Sequence, residues 1–141
     1  MKAKKTLVEL DNMPQIQLID TIIGKMEDNK LSEASIKTAK PYIKRLSKKL
    51  DISDDASMIF SAFFNDFSDT QIDISDIARF FDCNKVKILT YWSAIEELEK
   101  KKLIRQSKND KNDVSYSIPG ELVKAIRENT TYIPQEYKNL P

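Results

Sequence analysis

Apolar residues recur at helical spacing along most of this chain, and the interruptions in that spacing mark its elements. From residue 6 to 27, Leu7, Val8 and Leu10 and then Ile16, Ile19, Ile22, Ile23 and Met26 keep a roughly helical interval. Pro14 suits the first turn of the main helix there, where its missing N–H costs nothing. Asp28-Asn29-Lys30 breaks the pattern, and Ser32 followed by Glu33 reads as a new helix start. Ile36, Ala39, Ile43, Leu46 and Leu50 then form a second stripe, in which Pro41 predicts a kink or a helix-to-helix joint. Ser53-Asp54-Asp55 caps a third helix with Met58, Ile59, Ala62 and Phe63 facing inward.

Residues 72 to 118 carry the most informative order. A short helix from Ser75 to Phe81 meets a polar turn at Asp82, Cys83 and Asn84. A long amphipathic helix then ends in Leu98 and Leu103-Ile104-Arg105. Ile104–Ser107 and Val114–Ile118 read as the arms of a hairpin, closed by Pro119-Gly120, before a last helix from Glu121 to Asn129. Helix, turn, helix and hairpin in that order is the layout of a winged helix. The predicted fold class is therefore mainly α, a winged helix-turn-helix of three helices plus a short β-hairpin with an N-terminal helical extension. Residues 1–50 form the extension, 51–129 the winged-helix domain, and 130–141 a linker or tail without periodicity.

Within the long helix, taking Ile88 as reference at about 100° per residue, Tyr91, Trp92, Ile95 and Leu98 share a core-facing stripe. Val86 and Leu89 fall outside it, exposed or covered by another element such as the N-terminal helices. Trp92 and Tyr91 read as core anchors in preference to base-stacking platforms.

Composition removes several kinds of chemistry. The chain has no histidine and one cysteine, Cys83, so it holds no Ser-His-Asp or Cys-His pair, no His-containing zinc site and no internal disulfide. No GxxxxGK[ST] loop is present, and no apolar run approaches the ~20 residues that span a bilayer. Asp73 and Asp76 could act as an acid–base pair, but at a helix start they read as caps. The expectation is a non-catalytic, cytoplasmic protein with no cofactor in this chain and no membrane partner.

Charge then divides the chain. Lys30 to Leu50 holds seven basic residues against Glu33, a net of +6; Asp51 to Asp82 holds eight aspartates against Arg79, a net of −7. Cys83 to Asp113 comes to +3, and the whole chain to +1. DNA binding draws its affinity from a basic face, and here the helices flanking the second helix of the motif are acidic. The hairpin tip Lys108-Asn109-Asp110-Lys111-Asn112-Asp113 alternates in sign. Candidate DNA contacts are nonetheless Asn84, Lys85, Lys87, Thr90, Arg105, Lys108 and Lys111. Candidate protein contacts are Val86 and Leu89, together with the basic stripe Lys37, Lys40, Lys44 and Lys48. That stripe reads either as a solvated helix face or as a face paired with the acidic 51–82 surface, in the same molecule or in a neighbour.

The runs LSEASIKTAKPYIKRLSKKLDIS, ASMIFSAFFNDFSDTQIDISDIARFFDCNKVKILTYWSAIEELEKKKLIR and VSYSIPGELVKAIREN cover most of residues 31 to 129. They resemble the region preceding the motor in a group of bacterial AAA-type ATPases, most closely at Ile74 to Cys83 and Leu98 to Arg105. The resemblance implies an N-terminal accessory domain that recruits a protein substrate or partner to an ATP-driven motor. The Walker motifs are missing from this chain, whose end at Asn139-Leu140-Pro141 reads as a point where more protein follows. Three functions stay open: protein recognition for such an ATPase, DNA binding, and dimerisation through Val86, Leu89 and the N-terminal helices.

Overall fold

A computed structural model describes residues 6–134. The basic start Met1-Lys2-Ala3-Lys4-Lys5 and most of the expected tail, residues 135–141, lie outside the described residues. Among the described residues are eight helices and one two-stranded hairpin: α1 (Leu7–Asp11), α2 (Gln15–Met26), α3 (Glu33–Leu50), α4 (Asp54–Phe64), α5 (Ile74–Phe81), α6 (Lys85–Leu89), α7 (Trp92–Lys100), β1 (Arg105–Lys108), β2 (Val114–Ser117) and α8 (Gly120–Glu128).

The helix starts are built as the sequence anticipates. The Ser32 and Ser53 hydroxyls accept the Ser35 and Ala56 N–H groups, each satisfying a donor that the first turn leaves without an intrahelical partner. Asp73 and Asp76 form a reciprocal capping box with both bonds at 2.9 Å, so these carboxylates serve the start of α5. Asp51, Asp82 and Asn129 end α3, α5 and α8 in the left-handed conformation.

At the centre lies α4, in which every residue from Ala56 to Phe64 is buried. Phe63 meets Tyr116 of β2 edge-on, with ring centroids 5.5 Å apart. Helices α2, α3 and α7 pack around α4, and one continuous apolar cluster runs from Leu10 through Met26, Ile43, Phe81 and Leu98 to Ile126. Where α3 meets α4, the buried Ser47 and Ser57 hydroxyls lie 2.7 Å apart, and Ser61 donates to the Ser57 carbonyl. Small side chains with their polar atoms satisfied let the two helices approach closely.

The α2–α3 turn is stitched to the end of α5. Asp28 and Lys30 N–H groups donate to the Phe80 and Phe81 carbonyls at 2.8 and 2.6 Å, capping the end of α5. Asp28, Lys30 and Leu31 all take positive φ to make this turn. Gln15 joins the start of α2 to the end of α8, its side-chain amide donating to the Thr130 carbonyl at 3.0 Å.

The hairpin pairs Arg105 with Ser117 and Lys108 with Val114, and Ile72 forms an isolated antiparallel bridge to Tyr116. The strand bounds fall within a residue of the arms expected from the sequence.

Three expectations are corrected. Pro41 marks no joint: α3 is one helix of 18 residues through it. Burial of Ala39, Ile43 and Leu46 on one side of α3 offsets the ~3 kcal/mol that an interior proline costs. The long helix of the motif is two helices, α6 and α7. The Thr90 and Tyr91 N–H groups bond to carbonyls three residues back, the Thr90 hydroxyl donates to the Lys87 carbonyl at 2.6 Å, and Tyr91 leaves helical geometry at φ −107°, ψ 20°. Of the stripe projected from Ile88, Ile95 and Leu98 are fully buried and Tyr91 is half-buried, but Trp92, expected in the core, is exposed just past the break.

Candidate functional site

Helix α6 begins at Asn84, whose side-chain oxygen accepts the Lys87 N–H at 2.9 Å. It is too short to bury a face of its own, and only Ile88 enters the core. Val86 and Leu89 point outward with 69 % and 55 % of their surface exposed, and Trp92, just past the break, with 39 %. Val86 and Leu89 are spaced three residues apart on α6, and Trp92 opens α7 beyond the break.

Other apolar side chains are exposed too: Phe67, which stacks on Phe64 at 5.4 Å, Ile16, Ile133, and Leu7 and Val8, one and two residues from Thr6, where the described residues begin.

Lys85 and Lys87 flank Val86, both exposed, and among the described residues neither joins an ion pair. Lys85 lines a cleft of about 440 Å³ with Asp73 and Ser75 of the α5 end and Asn109 and Asp113 of the hairpin tip. The tip is held by the Asn109 side-chain oxygen, which accepts the Lys111 and Asp113 N–H groups at 2.8 and 3.0 Å. Lys108 and Lys111 are exposed on this hairpin.

Of the candidate DNA contacts, the structure thus brings Lys85 close to the hairpin tip. It sends Arg105 elsewhere, into a groove of about 750 Å³ shared with Glu99, Glu121 and Tyr132 at the base of the hairpin. Asn84 and Thr90 already use an oxygen on their own helix. The seven therefore make no single basic face.

The α3 lysines behave differently. Lys40 reaches Asp54 at 2.9 Å, Arg45 reaches Asp11 at 3.1 Å, and Lys101, just past α7, reaches Asp51 at 3.5 Å. Burial alone would raise the Asp54 carboxyl; hydrogen bonds from Lys40 and Ser47 and the charges of Lys40 and Lys44 hold it below its ordinary value instead. Lys37, Lys44 and Lys48 stay exposed. The second reading of the basic stripe is realised at Lys40, within one molecule.

Burial pushes the Cys83 thiol up, against the pull of the Lys87 charge. Among the described residues no group of three or more metal-ligating side chains comes together, and no helix is long and apolar enough to cross a membrane.

The sequence reading missed Trp92 as a surface residue. The signal was Thr90, whose hydroxyl competes for a helix carbonyl and favours a break. No protein-family profile, curated protein or solved structure matches the chain.

Proposed function

We propose that this chain is a non-catalytic, cytoplasmic recognition module of the winged-helix type whose partner is a protein. The order α5, turn, α6–α7, β1, β2 supports that fold, as does the Ile72–Tyr116 bridge, which adds a third extended segment between α4 and α5 beside the hairpin. The observation that carries the function is the outward face of α6, which offers Val86 and Leu89 where a DNA reader offers polar or basic groups. Contiguous exposed apolar patches mark interaction sites. The resemblance of residues 31 to 129 supports a position ahead of an AAA-type motor, with ATP handled by the motor and the partner by this module.

The test is titration of labelled duplex DNA at about 50 and about 200 mM salt. Protein recognition predicts negligible binding at both, unchanged by Lys85→Ala with Lys87→Ala. Micromolar binding that collapses with salt and weakens in the double variant would replace this reading with DNA binding. That second reading draws its support from Lys85, Lys87, Lys108 and Lys111, four exposed cations that join no ion pair among the described residues.

A further inference from the structure

We infer that residues 129–132 are a latch that joins the end of α8 to the start of α2, so that drawing this segment off the surface loosens the first turn of α2. Helix α2 begins without a local cap. Pro14 stands where Ser, Thr, Asp or Asn would turn a side-chain oxygen onto a first-turn N–H, and it makes no such bond. The missing acceptor comes from the other end of the chain. The Asn129 side-chain oxygen accepts the Gln15 N–H at 3.0 Å, and the buried Gln15 side-chain amide donates to the Thr130 carbonyl at 3.0 Å. Gln15 thus meets the latch through its backbone and through its side chain.

The segment is shaped to make these bonds. Asn129 ends α8 at φ 55°, in the left-handed region that asparagine adopts more readily than most residues. The Thr130 N–H then donates back to the Ala125 carbonyl at 2.9 Å. Two residues on, the Tyr132 hydroxyl donates to the Lys102 carbonyl at 3.0 Å, in the turn between α7 and β1, and Tyr132 packs against the apolar core. Four residues therefore fasten α8, α2 and the base of the hairpin to one another.

The fastening is of a kind that opens locally. The bonds at Gln15 are only part-buried and the one at Lys102 is exposed, so the segment can leave at far lower cost than a core helix. Its departure strips Gln15 of both partners. Coupling of this kind is reciprocal: whatever draws Tyr132 from the Lys102 carbonyl acts on α2, and whatever disturbs Gln15 acts on the segment after α8.

The test is hydrogen exchange on the whole chain, read amide by amide by NMR. Tyr132→Phe removes only the hydroxyl at the far anchor. It should speed exchange at the Gln15 and Leu18 N–H groups by about threefold or more, with α4 unchanged. Asn129→Gly keeps the left-handed backbone but deletes the acceptor, and should speed the same amides by about tenfold or more. In the reverse direction, Gln15→Ala should speed exchange at the Thr130 N–H.

Unchanged exchange at Gln15 and Leu18 in Tyr132→Phe, whether or not residues near 132 open, would overturn the latch. Equal acceleration throughout α4 would assign these bonds to the stability of the whole fold and overturn it as well. Where Asn129→Gly does not fold, Tyr132→Phe decides by itself.

Discussion

Helices α4 and α6 both carry bulky apolar side chains, and the protein treats them in opposite ways. In α4 the whole run from Ala56 to Phe64 is buried among α2, α3 and α7 and against Tyr116. In α6 only Ile88 is buried, and Val86 and Leu89 stand in solvent. Apolar residues in α4 are explained by stability, since each removes surface from water. Those at positions 86 and 89 keep 69 % and 55 % of their surface in water and contribute much less of that kind.

Charge does not follow the same division. Lys40 on α3 meets Asp54 inside the molecule, but among the described residues Lys37, Lys44 and Lys48 on the same helix join no ion pair, like Lys85 and Lys87 on α6.

The comparison is broken or sharpened by mutation, starting with the largest effect. Phe63→Ala should cost about 3–5 kcal/mol, read by urea unfolding, because the cavity lies between α4 and Tyr116. Ile88→Ala, the single buried position of α6, should cost about 2–4 kcal/mol. If it costs nothing, α6 is not anchored and its outward face has no fixed geometry.

Ser53→Ala should cost about 1–2 kcal/mol. It removes the cap of α4 and the bond from the Ser53 hydroxyl to the Glu97 carboxylate at 2.7 Å.

Lys40→Met should cost at most ~1 kcal/mol, because the pair with Asp54 is partly exposed. Its pH dependence gives the sharper check. The Asp54 carboxyl titrates lower folded than unfolded, so the pair stabilises above the unfolded value near 3.8 and loses that contribution as pH falls below it. Thermal melts of the variant and the parent should therefore converge in acid and separate near neutrality.

Val86→Asp with Leu89→Asp should leave the melting temperature within the ~0.5 kcal/mol scatter of surface changes. A large loss would show that these side chains are structural and end the contrast between α4 and α6.

Much of the architecture was legible before any coordinates. Ser32, Ser53 and Asp73 announced three helix starts because their side-chain oxygens accept N–H groups only a few residues away. The hairpin arms were legible because polar residues 109 to 113 separate two short extended runs. Pro41 makes no helix-to-helix joint because the packing of Ala39, Ile43 and Leu46 outweighs a local rule about a missing N–H. Trp92 misled because Tyr91 leaves helical geometry just before it, although Ile95 and Leu98 further on stay in the core.

The candidate site was half legible. Val86 and Leu89 stood out from the core stripe, but whether the N-terminal helices covered them was a question of packing, and α2 and α3 lie instead against α4. Likewise a net of +6 beside a net of −7 was visible by counting. That Lys40 meets Asp54, and that Arg105 leaves the other candidate contacts for a groove with Glu99 and Glu121, was not.

The sequence by itself determined what depends on neighbours within a few residues: caps, breaks, helical periods and the hairpin. Tertiary structure alone decided which apolar faces are covered, which charges meet and which hydroxyls pair, as Ser47 does with Ser57. Burial and screening depend on groups far apart in the chain, and no local spacing rule encodes their distances.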